Sequence, residues 1–226
     1  MTYVVSNIHG CYAEFTTLLN EINFTKDDVM FVLGDIVDIG ADPIPLLCDL
    51  SLRENVWAVA GEHDKLAAEM LEGFSEMLKN GGTPEAEFIS KMQNWIAMGG
   101  QRTLDGFREL DDDMREGVIE YLADMAPYET LHVGGRDYVL VHSGIRGYSE
   151  GKALDDYDWD DFCADGADTC AVGAATMIVG HAPTTENFSC NGDIYRGEGF
   201  IAVDCGAARG GRLACLCLDN GEEYYV

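Results

Sequence analysis

Four histidines stand at the ends of apolar, β-branched runs, and that placement constrains the fold more than any other feature of the chain. Residues 2–6 lead into Ser6-Asn7-Ile8-His9-Gly10. "VMFVLGD" (29–35) ends on Asp35, and "NVWAVAG" (55–61) is followed at once by Glu62 and His63. Tyr138–Val141 leads into His142, and "ATMIVGHAP" (175–183) carries His181 at its tip. Short apolar runs bounded by Gly and polar residues read as buried strands. Residues 11–21, with Phe15, Leu18, Leu19 and then Ile22 at helical spacing, and 43–51, opened by Pro43, read as helices. The repeated unit is strand, polar loop, helix, which predicts a parallel or mixed sheet covered by helices. The C-terminal ends of such strands gather at one rim, so side chains remote in sequence can meet there.

The middle of the chain differs. Residues 64–126 read as helical, with breaks at 81–84 and at Gly99-Gly100, and form a helical cap insertion over one end of the sheet in a single domain spanning 1–226. Residues 129–144 form a hairpin turning at Gly134-Gly135. The acidic segment 150–171 has little apolar periodicity and is expected as loop or short helices, while 200–204, 212–218 and the terminal "EEYYV" complete the strands. His132 lies inside a strand and is assigned a structural role.

Composition narrows the partners. Against 41 acidic residues stand 14 basic ones, a net charge of −27 that repels nucleic-acid phosphates and anionic membranes at long range. An anionic substrate held by such a chain needs strong local positive charge, such as metal ions. The eight cysteines form no CxxC pair and read as free thiols of a reducing compartment. There is no apolar stretch of membrane-spanning length and no visible signal peptide, so the expected protein is soluble and cytoplasmic.

Asn7 and His9 are two apart, and the extended backbone expected there would put both on one face, where they can grip one ion. Asp35, directly after Gly34, can bridge two cations with its two oxygens. Taken together, "NIHG" (7–10), "GDIVDIG" (34–40), "GEHD" (61–64), "HSG" (142–144) and "GHAP" (180–183) resemble, in order and spacing, the calcineurin-like metallophosphoesterases. The resemblance is to their bacterial serine/threonine phosphoprotein phosphatase branch, and "GGQRTLDGF" (99–107) and the stretch 200–219 extend it along the whole chain. It implies an α/β fold, a four-layer α/β/β/α sandwich of two mixed sheets, around one or two divalent metal ions (Mn, Fe or Zn). The implied first metal position is Asn7, His9 and Asp35. The second is Asp35, Glu62, His142 and His181. His63, steered by Asp38, is the implied proton donor to the leaving oxygen. The implied substrate is a phosphorylated protein or a small phosphoester.

Three residues depart from the family pattern: Asn7 stands for an Asp, Glu62 for an Asn, and Ile39 for a phosphate-clamping Arg. The first two exchanges keep two ligand carboxylates but move charge from the first position to the second. The first position is therefore expected to weaken and the second to strengthen. Asp160, after Trp159, occupies the place where the family often has a second Arg. Arg209 and Arg146 are the candidates to restore phosphate binding. Two readings follow: a metal-dependent phosphoesterase with altered ligands, or a catalytically impaired descendant that binds a metal, ligand or partner.

Overall fold

The computed structural model describes residues 1–81, 84–164, 166–187 and 190–226. The chain opens with β1 (Thr2–Val5), α1 (Tyr12–Glu21), β2 (Val29–Leu33), α2 (Pro43–Ser51) and β3 (Val56–Val59). Four helices follow: α3 (Glu62–Asn80), α4 (Ala86–Trp95), α5 (Gln101–Arg108) and α6 (Asp112–Ala123). Then come β4 (Tyr128–Val133), β5 (Arg136–Val141), β6 (Thr176–Val179), α7 (Thr184–Asn187), β7 (Tyr195–Arg196), β8 (Phe200–Ala202), β9 (Ala214–Cys217) and β10 (Glu223–Tyr225). They build two five-stranded mixed sheets, ordered β10-β9-β1-β2-β3 and β4-β5-β6-β8-β7. β1, β2 and β3 are parallel in the first sheet, and β5, β6 and β8 in the second.

Alternation along the strands assigns every side chain to a layer. Tyr3, Val5, Met30 and Val32 face the helices, packing with Phe15, Leu18, Leu47, Met70, Trp95 and Phe107. Their neighbours Val4, Phe31 and Leu33 point the other way, into the space between the sheets, against Leu140, Ile178, Val203 and Leu216. Val139, Val141, Met177 and Val179 pack on the far side of the second sheet with Ile145, Tyr157 and Phe162. That outer layer is irregular chain with two single-turn helices, Leu154–Asp156 and Trp159–Asp161. The acidic segment has too few apolar residues at helical spacing to make a longer helix.

The helices α3 to α6 share the core of α1 and α2 on the outer face of the first sheet. Their most consequential break is at Gly99, where φ reaches 119° and the chain turns toward the loop after β2, its carbonyl accepting the Ile39 N–H at 3.2 Å. At the other predicted break, Gly81 closes α3 in a left-handed turn, and Gly82 and Thr83 lie outside the described residues. Gly134 and Gly135, both left-handed, form the two-residue turn of the β4–β5 hairpin. No helix among the described residues is long and apolar enough to cross a membrane.

Leu140 is fully buried between the two sheets. Leu140→Ala is expected to lower stability by about 2–5 kcal/mol, read as a reduced urea midpoint with an unchanged denaturant slope.

Candidate metal centre

Six parallel strand ends deliver the site. β1 leads to Asn7 and His9, β2 to Asp35 and Asp38, β3 to Glu62 and His63, β5 to His142, β6 to His181, and β8 to Asp204. The turns that follow are strained. Asn7, His9, Asp35, Asp38, Ile39 and His181 all adopt positive φ, between 46° and 69°. For a β-branched residue such as Ile39 this is an unfavourable conformation, and packing around the loops must hold it. Asp64 supplies part of that hold: fully buried, it accepts the N–H groups of Ile36 (2.9 Å), Val37 (3.3 Å) and Gly61 (3.0 Å). Burial, reinforced by the Asp35 charge, pushes its carboxyl up to about 7. Gly61 is required by close approach, since a Cβ there would collide with Asp35 Oδ1.

One set of four donors closes on a single point. Asp35, Glu62, His142 and His181 place their ligand atoms within 4.8 Å of one another. Glu62 Oε2 lies 2.7 Å from His142 Nε2, Glu62 Oε1 lies 2.9 Å from His181 Nδ1, and His142 Nε2 lies 3.5 Å from Asp35 Oδ2. Donors around a tetrahedral ion with bonds of about 2.1 Å stand about 3.4 Å apart, so the set has the right size. A second group, His9, Asp35 and His63, lies beside it and shares Asp35.

Two observations test whether a cation fits. Glu62 Oε2 is buried without an aligned hydrogen-bond donor, despite its short approach to His142 Nε2. The ring nitrogens are also committed correctly. A carbonyl can only accept, so His142 Nδ1–H donates to Leu33 O (2.8 Å) and His9 Nδ1–H to Val37 O (2.9 Å). Each ring then presents the bare Nε2 toward Asp35, the arrangement in which an outer hydrogen bond fixes the ligating tautomer. The residues fit a divalent cation.

The charges agree. Burial works against a positive His142, but Asp35 and the Glu62 contact overcome it and raise the imidazole to about 10. Burial also opposes the charge on Glu62, yet the close approach of the His142 and His181 rings holds its carboxyl well below the ordinary range. Such a centre draws a proton onto a ligand nitrogen when nothing else neutralises it, and a cation displaces that proton. His9 is held neutral, first by burial and then by the nearby His63, against the pull of Asp35.

His63 stands at the edge of the centre. Its Nδ1 is 2.7 Å from Asp38 Oδ2, and its ring meets His9 edge-on at 4.8 Å. Asp38 is completely buried and fully engaged: Trp95 Nε1–H donates to Oδ2 (2.9 Å) and Thr103 Oγ1–H to Oδ1 (2.6 Å). Burial lowers the His63 imidazole, but the Asp38 hydrogen bond and the charges of Asp35, Asp38 and Glu62 prevail and raise it to about 9.

A cavity of about 500 Å³ opens on these groups, lined among others by Asn7, His9, Glu62, His63, Asp204 and Arg209. Arg209 therefore borders the site. Arg146 lines an adjoining groove with Lys65, Trp159 and Asp160, which shares Glu62, Met98 and His181 with the main cavity. In that groove Asp160 pairs with Lys65 at 2.5 Å, so its charge is answered locally. Four participants escaped the reading of the sequence. Trp95 and Thr103 act through tertiary contacts that no local pattern announces, whereas Asp64 closes the GEHD run and caps α3 through the Gly61 N–H, a local signal that could have found it. Asp204, pushed up to about 6 chiefly by burial, ends "FIAVD" as Asp35 ends its own strand, and that parallel was a usable signal. His132 lies exposed on β4, paired with Asp137 at 2.6 Å and apart from the centre.

Comparison with known proteins agrees with this architecture. A sequence model of the calcineurin-like phosphoesterases matches residues 2–204. Among curated relatives, a symmetrical bis(5'-nucleosyl)-tetraphosphatase of Wigglesworthia glossinidia brevipalpis is 38% identical over 64 residues, 27% of this chain and 24% of that protein. The enzyme of the same description from Buchnera aphidicola subsp. Schizaphis graminum is 35% identical over 115 residues, 48% of this chain and 41% of that protein. The chain thus spans less than half the length of these curated relatives. In fold it is similar to a structure provisionally described as a diadenosine tetraphosphatase (TM-score 0.66, 17% identity, 100% of this chain and 92% of that one). It is also similar to a serine/threonine phosphatase of Saccharomyces cerevisiae (TM-score 0.61, 12% identity, 95% of this chain and 71% of that one).

Because the Asp38 hydrogen bond does most to raise His63, Asp38→Asn in metal-free protein is expected to move the His63 titration from about 9 toward neutrality, followed by NMR of the ring protons. An unchanged midpoint would show that Asp35 and Glu62 alone set it.

Proposed function

Because the chain belongs to the calcineurin-like phosphoesterase family, we propose that it is a metal-dependent hydrolase of phosphoric esters or anhydrides whose substrate is a dinucleoside polyphosphate. The observation that carries the reading is the closure of Asp35, Glu62, His142 and His181 on one point beside His63. Curated relatives that share its sequence include symmetrical bis(5'-nucleosyl)-tetraphosphatases, which supports a nucleotide substrate over a phosphoprotein.

The divalent ion, when bound, supplies Lewis-acid polarisation of the phosphoryl group and activation of the attacking water. The remaining work belongs to side chains. Asp35, Glu62, His142 and His181 are the residues that would hold the ion. His63 carries a proton above neutral pH and faces the cavity, so it is positioned to deliver that proton to the leaving oxygen. Asp38, locked by Trp95 and Thr103, keeps the imidazole oriented and charged. Arg209 borders the cavity as a cation for the non-reacting phosphates. With a net charge of −27, the protein repels such substrates at a distance, so affinity depends on these local cations.

The test is turnover of a dinucleoside tetraphosphate, an aryl phosphate and a phosphoserine peptide, with Mn²⁺, Fe²⁺ or Zn²⁺ added. The expected order puts the dinucleotide first, with loss of all turnover on chelation; preferred cleavage of the peptide contradicts the substrate assignment. His63→Asn is expected to lower kcat by about 10²–10⁴-fold while metal content is unchanged. Arg209→Ala is expected to raise KM by about tenfold with a smaller effect on kcat.

A further inference from the structure

The structure assigns this centre one tight cation position rather than two, with the Asn7 amide closing the other. The assignment rests on the metal-dependent reading above and specifies its stoichiometry. Asn7 is buried, 3% exposed, and every polar atom of its side chain is accounted for. Its Nδ2 donates to Asp35 Oδ2 at 3.1 Å. Its Oδ1 accepts the His181 N–H at 2.8 Å. The same oxygen lies 2.6 Å from Ser6 Oγ. Ser6 Oγ also lies 3.1 Å from Leu33 O, but the approach to Asn7 Oδ1 is the shorter, and two oxygens that close need the hydroxyl proton between them.

A carbonyl oxygen has two lone pairs, and both are taken. Turning the amide over does not release one. It would set an N–H against the His181 N–H and a carbonyl oxygen against the Asp35 carboxylate. The clamp is also tight: a Cβ on Gly180 would collide with both Ser6 Oγ and Asn7 Oδ1. Asn7 therefore offers no donor atom to an ion and instead gives a hydrogen bond to the carboxylate that an ion would share.

What remains at that position is His9 Nε2 and Asp35 Oδ2, 3.4 Å apart. His63 is the third group within reach; its Nδ1 is tied to Asp38, and the proposed mechanism gives its Nε2 to the leaving oxygen rather than to an ion. The neighbouring position keeps four donors, two of them carboxylates, and one of these, Glu62, has a buried Oε2 without an aligned partner. An acidic residue at position 7 would change the balance. It would bring a second carboxylate against Asp35 with no proton between them, a pairing that a cation relieves.

The experiment is Mn²⁺ titration of the chelator-stripped full chain, followed by calorimetry and by electron paramagnetic resonance. The expected result is about one tight equivalent per chain with the spectrum of an isolated ion. Asn7→Asp is expected to raise the count to about two, with an exchange-coupled spectrum. Glu62→Ala is expected to abolish the tight equivalent in a chain whose circular dichroism is unchanged. Two tight equivalents in the unmodified protein, or an Asn7→Asp protein that folds and still binds one, overturn the assignment and leave the hydrolase reading standing. No tight equivalent in the unmodified protein overturns both. If Asn7→Asp does not fold, the count and spectrum of the unmodified protein decide alone.

Discussion

The Asp35 carboxylate is the group around which this molecule is arranged. It is 2% exposed and lies in a strained turn at the end of a central strand. Its Oδ1 accepts the His63 N–H at 3.1 Å, and its Oδ2 has Asn7 Nδ2, His9 Nε2 and His142 Nε2 within 3.5 Å. An isolated buried carboxylate is costly, so its surroundings must answer the charge with donors or a cation. The parallel arrangement of β1–β3 and of β5, β6 and β8 meets that requirement, because every one of those strands ends at the same rim. Layer packing and site assembly are thus one problem: the alternation that sends Leu33 between the sheets and Val32 toward the helices also fixes where Asp35 emerges.

The strain is part of the same arrangement. Six site residues sit at positive φ, and none of the six is glycine. Left-handed backbone at ordinary residues persists only where the surroundings over-determine it. Here Asp64 gathers three backbone N–H groups beneath the Asp35–Asp38 turn, while Trp95 and Thr103 reach from the helical segment to hold Asp38. The helices between β3 and β4 therefore do two things. They cover the first sheet, and they orient His63 through Asp38.

Much of this was legible in the residues. Strand runs ending on His9, Asp35, Glu62, His142 and His181 implied a shared rim, because strand period and sheet handedness leave those side chains nowhere else to go. The two-residue Gly134-Gly135 turn was equally plain, since two left-handed positions in a row favour glycine. The supports were not legible. Trp95 and Thr103 lie 57 and 65 positions from Asp38, and nothing in their own neighbourhoods marks them as its partners. The contacts of Asn7 were equally hidden: its oxygen accepts the His181 N–H and lies against the Ser6 hydroxyl, while its Nδ2 donates to Asp35. Only a fold that brings positions 7 and 181 together reveals that.

The most direct test of the account is anomalous diffraction at the manganese edge from crystals of the unmodified protein grown with Mn²⁺. The account predicts a single strong peak enclosed by Asp35, Glu62, His142 and His181. A peak elsewhere, or none among those four side chains, would contradict it.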